Sequence, residues 1–116
     1  MSVPLQVTFR DMEPSPAIES AIREKVAKLG QYYSRIQRCR VMVECPHKHH
    51  KTGAEYHIRI DVTVPGSELV VAHQGGGEPG HGDVYVALRD AFRAARRELQ
   101  EYVGRLRDQV KRGDMV

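Results

Sequence analysis

Residues 55–64 read EYHIRIDVTV, in which Tyr56, Ile58, Ile60, Val62 and Val64 alternate with Glu55, His57, Arg59, Asp61 and Thr63. A period of two places the apolar set on one side of an extended chain and the polar set on the other. The stretch is therefore a strand with one face in a core and one face toward solvent. A sheet of that kind needs a cover on one side only, and the rest of the chain must supply it.

Downstream, Pro65 and Gly66 make a tight turn into a fourth strand around Glu68 to His73. Upstream, the polar connection PHKHHKTG (46–53) leads back to a second strand over Ile36 to Cys45, with Cys39, Val41, Val43 and Cys45 on one face and Arg38, Arg40 and Glu44 on the other. Leu5, Val7 and Phe9 alternate in a first strand. Between these two, Ser15 supplies an N-cap and Pro16 the first helical position. Ile18, Ile22, Val26, Leu29 and Tyr33 then recur at helical spacing, predicting a helix from about Pro16 to Tyr33 with Gly30 weakening its last turn. After the glycine-rich run GGGEPGHG (75–82), residues 83–112 set Leu88, Phe92, Ala95, Leu99, Tyr102, Val103, Leu106 and Val110 on one stripe of a long second helix.

The order strand, helix, three strands, helix predicts an α+β fold, β-α-β-β-β-α. Its four-stranded mixed sheet carries two helices packed on one face. The first two strands pair in parallel through a right-handed crossover, and the others form an antiparallel meander. At 116 residues the chain is a single domain spanning 1–116, with a flexible Gly-rich loop at 74–82 and a polar tail at 111–116.

Composition narrows the function. Net charge is +3 and the pI about 9.0, a mild basic excess compatible with a polyanionic partner. No apolar run reaches membrane-spanning length, and the start MSVPLQVTFR enters a strand pattern without a signal-peptide layout. Cys39 and Cys45 are too far apart along one strand for an easy bridge, which fits reduced thiols in a cytoplasmic protein. Cys45, His47, His49, His50 and His57 offer zinc-type donors, but they form one cluster without a matching ligand pair, so no metal site is predicted. The glycine run lacks both a GKS or GKT ending and GxGxxG spacing. There is no nucleophile elbow and no HExxH helix, and Asp11 and Glu13 read as surface carboxylates. No catalytic residue, cofactor or small-molecule substrate is expected, and the chain is not an enzyme.

What remains is the sorting of charge. Arg89, Arg93, Arg96, Arg97, Arg107 and Lys111 fall on a second stripe of the long helix, and Asp90, Glu98, Glu101 and Asp108 fill a third, leaving the basic stripe without acids inside it. With Lys25 and Lys28 of the first helix this makes a positive plate fitted to nucleic acid. Tyr32, beside Lys28, either stacks on a base or covers the edge of the core. Arg35, Arg38, Arg40, Lys48 and Lys51, against Glu44 alone, form a second basic patch. The competing readings are a merely solvated face, or a protein-interaction regulator of transcription or signalling whose basic helix face binds an acidic protein.

Three segments carry a resemblance. EKVAKLGQYYSRI (24–36), AEYHIRIDVTV (54–64) and DVYVALRDAF (83–92) are similar to the ribosome hibernation-promoting factors and ribosome-associated inhibitor A, once called sigma-54 modulation proteins. The likeness runs from Leu5 to Val110. It implies a cytoplasmic stress and stationary-phase factor that binds the small (30S) ribosomal subunit and its 16S rRNA in the mRNA and tRNA channel, blocks translation and promotes hibernation. Lys25, Lys28 and Arg97 match basic positions of that family. Arg89, Arg93 and Arg96 stand where acidic or neutral residues are common, and Ala94, Gln100 and Glu101 stand where basic ones are. The chain resembles the short form, without a dimerisation domain, which implies a monomer off the ribosome. The rRNA-binding residues expected from both lines of reasoning are Lys25, Lys28, Tyr32, Arg89, Arg93, Arg96, Arg97, Arg107 and Lys111.

Overall fold

The structure, a computed structural model, describes residues 3–49, 53–76 and 84–111. Its elements are β1 (Leu5–Arg10), α1 (Pro16–Tyr32), β2 (Arg38–His49), β3 (Gly53–Val64), β4 (Ser67–Gly76) and α2 (Val84–Lys111). The strands lie in the order β1-β2-β3-β4, with β1 parallel to β2 and the other pairs antiparallel. This is the α+β topology that the alternation predicts.

Register explains how one core forms. Leu5, Val7 and Phe9 stand beside Cys39, Val41 and Val43. Those pair with Val62, Ile60 and Ile58, and Val62 and Ile60 pair with Leu69 and Val71. Every one of these side chains is on the same side of the sheet, where the helical stripes Ile18, Ile22, Val26, Leu29 and Leu88, Phe92, Ala95, Leu99, Tyr102 close over them. Ile22, Ile58, Ile60, Leu88 and Leu99 are fully buried, so truncating any of them to Ala costs about 2–5 kcal/mol.

Local chemistry sets the ends of the elements. The Ser15 hydroxyl accepts from the Ile18 amide at 3.3 Å, and Pro16 occupies the first turn of α1. Tyr33 is the C-cap of α1, its amide donating to the Leu29 carbonyl, so the helix stops one residue short of the periodic reading. Gly30 has a packing reason: a Cβ there would lie 2.9 Å from Cγ2 of Val3, so glycine lets the segment before β1 cross the helix. Gly66 turns β3 into β4 with φ 75° after Pro65, a conformation open to glycine. The Tyr102 hydroxyl donates to the Pro65 carbonyl at 2.7 Å and its ring meets Tyr33 edge-on at 5.8 Å, tying α2 to that turn and to the end of α1.

Three expectations need correction. Within 46–53, read as a polar connection, residues 46–49 instead extend β2 and Gly53 begins β3, in a ribbon pairing His47 with Glu55 and His49 with Gly53, while residues 50–52 lie outside the described residues. Ladder bonds are made by backbone, so a polar sequence with no core to face still pairs. Pro46, which has no amide to donate, falls where the register slips between Glu44 and His47. Likewise β4 reaches Gly76, with Gln74, Gly75 and Gly76 pairing against His57, Tyr56 and Glu55, inside the stretch expected as loop. Residues 77–83 and 112–116, the rest of the expected loop and tail, lie outside the described residues. Finally, Asp61 belongs to the polar face of β3 yet is buried, because two arginines lie against it.

Candidate nucleic-acid interface

Helix geometry assigns each flank of α1. Residues 21, 25, 28 and 32 recur on one side at the 3.6-residue period, and that side meets α2. Lys25 and Lys28 line a groove of about 380 Å³ between the helices, together with Glu24 from α1 and Tyr85 and Arg89 from α2. Lys28 and Arg89 are exposed, and Lys25 is half-buried. Further along the seam, the Arg96 guanidinium sits over the ring of Tyr32, 5.2 Å from its centroid. Tyr32 is 37% exposed, so it is not a lid on the core, and one of its faces is engaged by a cation.

Arg93, Arg97 and Arg107 are exposed on α2 and turn away from its buried stripe. Lys111 is the last residue of α2, and its side chain lies outside the described residues. One expectation is corrected within this set: Arg89 Nε donates to Asp90 Oδ1 at 3.2 Å, so the basic stripe is neutralised at that one position by an acid from the neighbouring sector. The remaining arginines of the stripe have no ion pair among the described residues.

The second basic patch does not join this surface. Arg38 and Arg40 stand on the side of the sheet that the helices leave bare, together with Gln6, Thr8, Arg10, Met42 and Arg59. There Arg59 Nε donates to Asp61 Oδ1 at 3.1 Å, and Arg40 lies 3.6 Å from Asp61 and 3.3 Å from Glu68. These arginines serve a buried carboxylate. The side chains of Lys48 and Lys51 are outside the described residues, as are those of His47, His49 and His50.

Sequence reasoning also missed a residue. Tyr85 is 44% exposed in the first turn of α2, inside the groove that holds Lys25, Lys28 and Arg89. The signal was mixed: Tyr85 lies four residues before Arg89 but three before Leu88 and seven before Phe92, which puts it at the border of the basic and core stripes.

Among the described residues, no group of three or more His, Cys, Asp or Glu side chains is placed to hold a metal ion. Instead, His57 lies 3.5 Å from Glu44 and 3.8 Å from Glu55. Cys39 is buried, and burial first, with the Asp61 charge second, pushes its thiol up to about 12, far from a usable nucleophile. No described helix is long and apolar enough to cross a membrane. A cleft of about 570 Å³ on the other flank of α1 is lined by Val3, Leu5, Val26, Ala27 and Gly30 together with the polar Arg23 and Gln31, and none of the cations of the interhelical groove reaches it.

The chain resembles known proteins over most of its length. The family model described as sigma 54 modulation protein / S30EA ribosomal protein matches residues 5–107. A ribosomal subunit interface protein from Coxiella burnetii has a similar structure, with a TM-score of 0.70 at 16% identity, covering 88% of this chain and 99% of that one. The N-terminal domain of Thermus thermophilus Protein Y superposes with a TM-score of 0.61 at 19% identity, again covering 88% and 99%. At such identities the likeness is one of fold. No curated protein sequence matches the chain.

Proposed function

We propose a function from one premise: the chain belongs to the sigma 54 modulation protein / S30EA ribosomal protein family. It is a ribosome-associated factor that acts by occupying space, without catalysis, metal or cofactor. The whole chain is one ribosome-binding domain. It works in the cytoplasm, as a monomer until it meets the ribosome. Its helical layer lies against 16S rRNA of the small subunit in the channel for messenger and transfer RNA, where it blocks translation and promotes hibernation in stressed or stationary cells.

The observation that carries this reading is the meeting of Lys25, Lys28 and Arg89 in one interhelical groove, continued by the exposed Arg93, Arg97 and Arg107 along α2. Such a surface binds phosphate through counterion release and reads backbone shape ahead of base sequence. Arg96 holds Tyr32 at the edge of the same surface, and Lys111 extends the basic stripe to the end of α2.

Cosedimentation with purified small subunits across a salt series tests it. The protein is expected to pellet with subunits at low salt and to leave them as salt rises, with the log of affinity falling by roughly 0.7 per phosphate neutralised for each decade of salt. Failure to pellet at low salt overturns the proposal.

A further inference from the structure

The interhelical groove offers something a phosphate contact does not need. Tyr85 is 44% exposed on its wall, the highest exposure of an aromatic side chain among the described residues, and the groove it lines carries three cations against the single acid Glu24. Asp90, the other nearby carboxylate, is engaged with Arg89 Nε. The second exposed tyrosine, Tyr32, lies at the level of Arg96, eleven residues along α2 and hence about 16 Å away, and does not line this groove.

A tyrosine held among lysines and an arginine suits a nucleobase. The base stacks on the ring while the adjoining phosphates meet the cations, an arrangement tolerant of base identity because every base has a π-face. The bases of a duplex are already stacked on one another and present no free face to a side chain lying in a groove, so the occupant must be unpaired. Glu24 adds direction, since a phosphate avoids its carboxylate and sits on the Lys25, Lys28 and Arg89 side.

We infer that the groove between α1 and α2 takes an unpaired segment of RNA, with one base stacked on Tyr85 and its phosphates on Lys25, Lys28 and Arg89. This rests on the proposed ribosomal RNA binding and specifies the RNA as single-stranded at this point.

The chain contains no tryptophan, so Tyr85→Trp adds a single indole at the site, whose emission is read as the difference from wild-type protein in the same titration. Stacking predicts that its emission is quenched when the full-length variant is titrated with small subunits at low salt. Tyr85→Ala weakens subunit binding by about tenfold, with an unchanged salt slope because no phosphate contact is lost. Tyr85→Phe, which keeps the ring, retains wild-type affinity, and thermal melts of all three variants confirm folding. If wild-type protein pellets with subunits but Tyr85→Ala binds equally well, or the indole emission of Tyr85→Trp does not change on binding, the inference is overturned and the ribosome reading stands. If the wild type itself fails to pellet, both fall.

Discussion

The two broad surfaces of this molecule both carry arginines and use them differently. On the bare side of the sheet, Arg40 and Arg59 close over the buried Asp61, and Arg40 also reaches Glu68. On the helical layer, Arg93, Arg97 and Arg107 stand in solvent with the acids of α2 turned to another sector, and Lys25 and Lys28 line a groove with Arg89. The difference lies in the acids. The buried Asp61 makes structural parts of its arginines, whereas Asp90 meets Arg89 at the surface, where a pair is weak and the charge stays open to a partner. Arginine content alone therefore marks two candidate surfaces, and geometry separates them.

Substitutions on each side should break different properties. The largest effect is expected from Arg93→Glu with Arg97→Glu: subunit affinity falls by roughly a hundredfold or more, while the melting temperature moves by no more than about 2 °C, because exposed charges add little to stability. A large stability loss in that variant would make the ridge a structural device like the sheet face. Next comes alkaline titration of stability, which reads the interior below the sheet. Cys39 holds its proton up to about 12 in the fold, while the unfolded chain releases it near pH 9.0. Stability is thus complete below about pH 9 and declines as pH rises toward 12, by a few kcal/mol at the top of that window. Tyr102, raised first by burial, adds to the same decline. Denaturant melts of Cys39→Ala should show a shallower slope than wild type, and identical slopes would contradict this assignment.

A smaller effect is expected from Arg59→Ala. It leaves Asp61 with Arg40 alone and lowers stability by about 1–3 kcal/mol, with subunit binding of the folded protein unchanged. Loss of binding at intact stability would move the RNA to the sheet side. The smallest effect belongs to Arg23→Ala on the far flank of α1. Its exposed bond to Glu19 at 2.8 Å contributes at most about 0.5 kcal/mol, and cosedimentation should be indistinguishable from wild type.

Much of this was legible beforehand, for identifiable reasons. Strict alternation in β3, the Ser15-Pro16 start of α1 and the Pro65-Gly66 turn are local signals, and the strand order follows from them. The ribbon beyond Glu44 was not legible, because the polar residue types from His47 to His49 show no apolar alternation to distinguish a strand from a loop. Asp61 shows the same limit at the site: its burial depends on Arg40, in another strand, and on Glu68 drawing that arginine across. Lys25, Lys28 and Arg89 could be listed from helical period, but their meeting in one groove with Tyr85 depends on how α1 lies beside α2.

The central claim, that the helical layer rather than the open sheet holds ribosomal RNA, is tested most directly by a density map of the protein bound to a small subunit. The α1–α2 groove is expected against 16S rRNA, with phosphates beside Lys25, Lys28 and Arg89 and with Arg40 and Arg59 turned away from the RNA. A map with the sheet face against RNA and the groove in solvent would contradict it.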